Sequence, residues 1–232
     1  YVLPESGRIR VPDDVPNDLA SLCSCAFRSV MNATSQIGPI APTDTVAIQG
    51  AGPLGLLAAA VAKVGGARRV IVIGGPSARL DMALAFGADE VIPVETTSAA
   101  ERADRVRELS GGRGADIVME FTGHPAAFSE GLEIARKGGR YLVVGFPAGI
   151  PSLPLNLTLL KSVSVIGVFW GAAVMRDPKA HAANMAELMQ MYADGKIRPR
   201  VSRTFPLEKA AEAHALMESS AHIGKIMLEV AA

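Results

Sequence analysis

The sequence predicts an α/β fold built on a doubly wound parallel sheet, and three observations carry the prediction. Short apolar runs alternate with helix-length stretches from Thr45 to Val168, the pattern of successive strand–helix–strand crossovers. Arg69–Ile73 is continuously apolar after its first residue rather than alternating, as a strand covered on both faces is. Thr45–Gln49 runs straight into Gly50-Ala51-Gly52-Pro53-Leu54-Gly55 and an Ala-rich helix. In that turn the glycines fall as GxGxxG. Gly50 turns the chain off the strand, Gly52 lets a pyrophosphate approach the backbone, and Gly55 lets the helix pack closely on the strand. Pro53 suits a first helical position, because its missing N–H would be unpaired there anyway. The free amides and the helix dipole then face an anion. A GxGxxG between a strand and a helix reads as a dinucleotide cradle.

In chain order, Tyr1 to Pro16 read as a strand remnant followed by a rigid turn at Pro12-Asp13-Asp14-Val15-Pro16. Asn17 is placed to cap a helix running through Leu19, Leu22 and Phe27 towards Met31. Gly38-Pro39 and Ala41–Asp44 form the loop into the glycine stretch. After the glycine helix come strand Arg69–Ile73, helix Ser77–Phe86 stopped by Gly87, and short strand Glu90–Ile92. A charged amphipathic helix, Ala99–Leu109, ends at Gly111-Gly112 and leads into apolar strand Ala115–Met119. Pro125–Arg136 reads as a helix closed by Gly138-Gly139, and Arg140–Gly145 as a strand. Ile150–Leu160 reads as a loop and short strand at the sheet's edge, and Ser162–Val168 as the last parallel strand. Beyond Trp170 the character changes. Asp177-Pro178 opens a helix through Met185, Leu188 and Tyr192 that ends at Gly195; Val201–Phe205 is a strand, Pro206–Met217 a helix and Lys225–Val230 a terminal strand. These elements are too few for a core of their own and are expected to pack on another part of the protein.

Composition narrows the function classes. The 232 residues suffice for one large domain, or one domain with a smaller part. Lys and Arg number 23, as do Asp and Glu, and no basic block interrupts the balance, so nucleic acid is not an expected partner. No apolar run reaches membrane-spanning length, so no membrane is expected either. The two cysteines, Cys23 and Cys25, are too close in sequence for a structural staple; with no signal peptide, they point to a reducing, cytoplasmic location. The histidines, His124, His181, His214 and His222, lack metal spacing, and a G-x-S-x-G nucleophile elbow is absent, which removes support for a hydrolase. The chain opens at Tyr1, and a further N-terminal part is expected upstream.

Five motifs together carry a family resemblance: Arg-Val-Pro-Asp-Asp-Val-Pro at 10–16, Gly-Ala-Gly-Pro-Leu-Gly at 50–55, Phe-Gly-Ala-Asp-Glu-Val-Ile at 86–92, Gly-Gly-Arg-Gly-Ala-Asp at 111–116 and Gly-Gly-Arg-Tyr-Leu-Val-Val-Gly at 138–145. Over nearly its whole length the chain resembles the medium-chain dehydrogenases/reductases, especially the zinc-dependent alcohol dehydrogenase branch. The resemblance implies a Rossmann domain over residues 31–170. Residues 1–30 are then the end of a catalytic domain with its connecting helix, and 171–232 a segment returning to that domain. It implies an oxidoreductase that moves a hydride between an alcohol, aldehyde or ketone and NAD(P)(H). The subunits are expected to form a homodimer or homotetramer through the Ile150–Val168 edge.

The resemblance also assigns site residues. Cys25 matches the cysteine that gives one ligand to the family's catalytic zinc, a metal that needs about three protein ligands and an open position. The zinc's other ligands, and the family's four-cysteine zinc loop, have no counterpart here. The alternative for Cys25 is an ordinary small buried thiol, which its position disfavours. Ser29, one turn further on, matches a hydroxylated position against the nicotinamide, and equally reads as a helix serine facing water. Leu54, Val144 and Gly145 would line the nicotinamide side, and Phe121, Thr122 and Gly123 the adenosine and ribose. Trp170 falls at a cofactor-lining position, though a lone Trp is more often core or interface. Lys225 matches a basic position near the pyrophosphate. Gly74 stands where NAD-preferring sites carry an acid for the ribose 2′-hydroxyl, and Arg79 follows five residues on. With no carboxylate at Gly74, the expectation leans towards NADP(H).

Two other readings stay open. One is a zinc-free quinone or enone reductase of the same superfamily, which Pro154–Lys161 and Gly167-Val168-Phe169-Trp170-Gly171 resemble. Its usual Ala-Ala-x-Gly-Gly-x-Gly turn is absent, and Cys25 would be idle. The other is a dinucleotide-binding module without turnover.

Overall fold

A computed structural model of the chain describes residues 10–230 apart from 14, 24, 199, 220 and 221. The expected strand before Pro12 falls mostly in residues 1–9, outside the described residues. Six strands form a sheet in the order β3-β2-β1-β4-β5-β6: β1 (Thr45–Gln49), β2 (Arg69–Gly74), β3 (Glu90–Pro93), β4 (Ala115–Glu120), β5 (Ala135–Val143) and β6 (Ser164–Gly167). Every neighbouring pair is parallel. The chain builds outward from β1 in one direction through α3 (Pro53–Val64) and α4 (Ser77–Ala85). It returns through α5 (Ala99–Leu109) to lay β4 on β1's other side, then continues through α6 (Pro125–Ile134) to β5. The reversal makes the β1/β4 boundary a topological switch point, where such sheets bind ligands beyond the strands' carboxyl ends.

The all-apolar strands serve two cores by strict alternation. Val46, Ile48, Val70, Val72, Ile117 and Met119 face α2 (Ala26–Ile37) and α3. Ala47, Ile71, Ile73 and Val118 face the opposite way, onto Phe128 and Leu132 of α6 and Val106 of α5. Successive side chains of a strand point to opposite faces, so a sheet covered on both sides needs apolar residues at every position.

Four elements differ from the sequence expectation. The helix from Asn17 is broken into α1 (Asn17–Leu22) and α2, because Cys25 leaves helical backbone (φ −142°, ψ −67°) and becomes the residue before α2. Asn17 is itself helical, and Pro16 holds the cap position without a side-chain bond. The helix expected to reach Arg136 ends at Ile134, and Gly138-Gly139 lie within β5 rather than closing a helix. There the pairing steps from Ala115↔Ala135 to Ile117↔Arg140, so extra residues on β5 bulge out beside β4. Gly138 takes φ +69°, and a Cβ on Gly139 would lie 3.0 Å from the Arg136 carbonyl oxygen. The bulge therefore needs both glycines. Finally, Leu155–Lys161 is helix α7, not strand; alternate leucines mimic a strand's period, but Leu153 and Leu157 pack on the second core.

The segment after β6 divides. Helix α8 (Trp170–Arg176) leads into α9 (Pro178–Ala193), which buries Met185, Leu188 and Met191 in the core that α2 shares. Strands β7 (Val201–Pro206) and β8 (Lys225–Glu229) pair parallel as a separate two-stranded sheet, joined by a 3₁₀ turn and α10 (Ala210–Glu218). Among the described residues no helix is long and apolar enough to cross a membrane.

Candidate dinucleotide cleft

At the switch point the backbone is shaped by what glycine lacks. Gly50 has φ +112°, and its N–H donates to the Ile73 carbonyl at 2.7 Å, tying the turn to the end of β2. Gly55 lies so close to the strand that a Cβ there would overlap the Gly50 carbonyl oxygen. Gly52 is different: its backbone (φ −82°, ψ −176°) would suit any residue, and a Cβ there meets nothing within 4 Å. What an added side chain would fill is the cleft itself, directly before the first turn of α3. No side chain caps that turn, so its leading amides are open to an anion.

The cleft has a volume of about 570 Å³. Gly50, Ala51 and Gly52 form its floor; Gly74, Gly75 and Arg79 line one wall, and Phe121, Thr122 and His124 the other. The second wall is held from below by Glu120, fully buried at the end of β4. Its carboxylate accepts from the Thr122 N–H at 2.6 Å and the Gly123 N–H at 3.0 Å, and from the Thr122 hydroxyl. Burial pushes its pKa up, and these hydrogen bonds oppose the rise. Gly123 takes φ +64°, and Pro147 occupies the space a side chain would need. At the far end Arg102 grips Glu130 through two parallel hydrogen bonds (2.8 and 2.6 Å), a geometry that raises the guanidinium's pKa. The space has the shape, the amide donors and the mixed apolar and polar walls that a dinucleotide requires.

The structure brings together Gly50, Gly52, Gly74, Arg79, Phe121 and Thr122 of the residues singled out from the sequence. Pro53 and Leu54 begin α3 at the cleft's edge. Leu54 and Val144 are half-buried and pack on the first core, and Gly145 follows Val144 beyond β5, where a Cβ would meet only the Pro147 ring, at 3.9 Å. Lys225 is half-buried beside Pro53, in a small crevice shared with Arg200 and Phe86. Trp170 lies elsewhere. Its ring sits 5.8 Å from His181, edge to face, and 5.8 Å from the Arg28 guanidinium, between α2, α8 and α9.

Cys25 is exposed at the head of α2, and its carbonyl accepts from the Ser29 N–H at 3.0 Å, which places Ser29 one turn along the same helix. Cys23 is the buried one of the two thiols, and burial pushes its pKa up to about 11. Among the described residues no group of three or more His, Cys, Asp or Glu could hold a metal ion. One cysteine does not make a zinc site, so the described residues do not by themselves fit the metal.

Residues missed in the sequence include Arg102 and Glu130, which line the cleft, and Glu95, which lies against Gly75. The last bears on the coenzyme. The expected lean to NADP(H) rested on the bare end of β2 at Gly74–Gly75. The Glu95 carboxylate covers Gly75, and a Cβ placed there would lie 2.7 Å from its Oε2. The strand register held the signal, since Gly74 pairs with Pro93 and Glu95 follows two residues later.

Comparisons with known proteins agree with this geometry. The chain is 33% identical over 221 residues to 5-exo-hydroxycamphor dehydrogenase of Pseudomonas putida, covering 94% of this chain and 60% of that one. It is 31% identical to L-threonine 3-dehydrogenase of Bacillus licheniformis, covering 97% of this chain and 62% of that one. It therefore spans about three fifths of the length of these curated relatives. Among solved structures, an alcohol dehydrogenase from Thermotoga maritima superposes with a TM-score of 0.79 at 30% identity, covering 96% of this chain and 60% of that one. A mycobacterial protein solved with NADPH gives 0.84 at 26% identity, covering 94% and 66%. The sequence profile of the zinc-binding dehydrogenases matches residues 53–191, from the head of α3 into α9. The chain belongs to the zinc-binding dehydrogenase family.

Proposed function

We propose that the chain is the coenzyme-binding part of an oxidoreductase that moves a hydride between a secondary alcohol and the corresponding ketone. The observation that carries the reading is the cleft at the β1/β4 switch point, with Gly52 opening it to the α3 amides. Both named relatives are dehydrogenases of alcohols whose hydroxyl sits on a secondary carbon, which supports the substrate class. The nicotinamide coenzyme supplies the hydride chemistry when bound. The chain's own residues supply its seat: the α3 amides for the pyrophosphate, Phe121, Thr122 and Gly123 for the adenosine side, and Leu54, Val144 and Gly145 for the nicotinamide side. Ser29 is assigned to the nicotinamide and Lys225 to the pyrophosphate, and Trp170 to the nearby α2–α9 packing.

In this reading Cys25 gives one donor to a zinc ion whose other donors lie outside these residues. Residues 1–30 and 171–232 then belong with a catalytic domain, and 31–170 form the Rossmann unit. The location is cytoplasmic, and the subunits form a homodimer or homotetramer through the β6 edge. The quinone-reductase reading is weaker, because the Gly50-Ala51-Gly52 turn departs from that branch.

Calorimetric titration of the 232-residue chain with NADH and NADPH tests the proposal. Saturable binding of at least one, with negligible alcohol oxidation by the chain alone, is the expected outcome. Absence of binding by both would refute it.

A further inference from the structure

Resting on the cleft's assignment as a nicotinamide-dinucleotide site, we infer that Glu95 is the residue that selects the coenzyme, and that it selects NAD(H) over NADP(H). In a doubly wound sheet the adenosine ribose sits at the end of the second strand, where a carboxylate can accept hydrogen bonds from the ribose diol. Here β2 ends in Gly74, and Gly75 lines the cleft. The acid arrives from the loop that follows the neighbouring strand, β3. A Cβ built on Gly75 would lie 2.6 Å from the carboxyl carbon of Glu95, so the carboxylate occupies the space that a side chain at that corner would take. Glycine at 75 is what admits it.

The loop that carries Glu95 is anchored on both sides. The Val94 N–H donates to the Gly74 carbonyl at 2.9 Å, extending the β2–β3 pairing to the residue before Glu95. The Thr97 hydroxyl donates to the Pro93 carbonyl, and Arg102 donates to the Thr97 carbonyl while Glu130 holds its guanidinium. A Ser98–Glu101 capping box then starts α5. Glu95 is itself exposed and has no hydrogen bond or ion pair among the described residues, which leaves its oxygens for a ligand.

The other charges at this corner match the assignment. Arg102 and Glu130 satisfy each other. Arg79, the cation closest in sequence to the strand end, donates to the His222 carbonyl at 3.3 Å in the segment leading to β8. A ribose offers two O–H donors to a carboxylate, which only accepts. A 2′-phosphate offers neither donor and brings its own negative charge against it.

The test is calorimetric titration of the 232-residue chain with NADH and NADPH, as wild type, Glu95→Gln and Gly75→Ala. Wild type is expected to bind NADH at least tenfold more tightly. Glu95→Gln removes the charge and keeps the size; it should narrow the ratio at least tenfold, chiefly by tighter NADPH binding. Gly75→Ala keeps the acid but displaces it, and should narrow the ratio as well. A wild type that prefers NADPH, or a ratio unchanged in Glu95→Gln, overturns the inference. If no variant binds either coenzyme, the cleft's assignment falls, and this inference falls with it.

Discussion

Two glycines of one motif should fail in opposite ways, and the structure supplies the magnitudes. At Gly52 the backbone is ordinary extended conformation and the space in front is open, so Gly52→Asp creates no clash. Asp is also a favoured residue at a helix N-cap, the position Gly52 holds. Stability should stay level or rise by a few tenths of a kcal/mol. The new carboxylate, however, stands where a pyrophosphate would sit. At a separation of about 5 Å and an effective dielectric near 20, one pair of like charges costs about 3 kcal/mol, or roughly a hundredfold in affinity. At Gly55 a Cβ would overlap the Gly50 carbonyl oxygen, so Gly55→Ala forces α3 off β1. Overpacking of this kind costs about 3 kcal/mol. The better helix propensity of Ala returns about 1. The net loss of about 2 kcal/mol should lower the melting temperature by roughly 4–8 °C. Thermal melts and calorimetric titration with NADH, run on both variants, check the pair. Unaltered coenzyme affinity in Gly52→Asp, or a Gly55→Ala protein as stable as wild type, would refute the reasoning that assigns one glycine to the ligand and the other to packing.

Cys25 should react with a thiol reagent at pH 8 in the native protein, while Cys23, 1% exposed and with its pKa pushed up to about 11, reacts only on unfolding; fast labelling of both would contradict the burial. His181 is buried beside the Arg28 guanidinium, and burial first, then that charge, lowers its pKa below the usual 6.5. The unfolded chain therefore takes up this proton before the folded one does, so stability declines as pH falls below about 6.5. Melts at pH 7.5 and 5.5 should show a larger loss in wild type than in His181→Gln, and parallel losses would sink the idea. At the sheet's open edge, Val165 on β6 and Leu159 on α7 are exposed, and Leu159 is 79% so. Light scattering at micromolar concentration should report a dimer or larger for the protein and a smaller species for Val165→Lys; identical masses would remove β6 from the interface.

The central strands were legible because the burial of β1, β2 and β4 is written in their own residues. Arg69–Ile73 carries β-branched residues on both faces, so no knowledge of its neighbours was needed to place it. The glycine turn was legible for the same reason, since Gly50, Gly52 and Gly55 each answer a local geometric demand. What was misread depended on partners distant in sequence. Ala135 and Arg136 continue α6 as far as local pattern shows, and only the pairing of Ala135 with Ala115 draws them into β5. The leucines at 153, 155, 157 and 159 alternate like a strand's, although α7 is a helix that sets only Leu157 against the second core.

The same distinction governs the cleft. Sequence spacing puts a ribose-binding carboxylate at the end of β2, and Gly74-Gly75-Pro76 offers none. A parallel sheet supplies that corner twice over, because adjacent strands end side by side. With Gly74 in register with Pro93, a residue just past β3 reaches the space beyond β2 as readily as one on β2 itself. Removing both side chains at 74 and 75 then has a structural consequence rather than leaving a gap. At Gly74 a Cβ would come within 2.9 Å of the Ala51 nitrogen, so that glycine lets β2 end tightly against the glycine turn. At Gly75 a Cβ would displace Glu95. One glycine closes the floor of the cleft and the other opens its corner to a neighbour's acid. The paired glycines and the acid beyond β3 form one device, although 20 residues separate Gly75 from Glu95 in the chain.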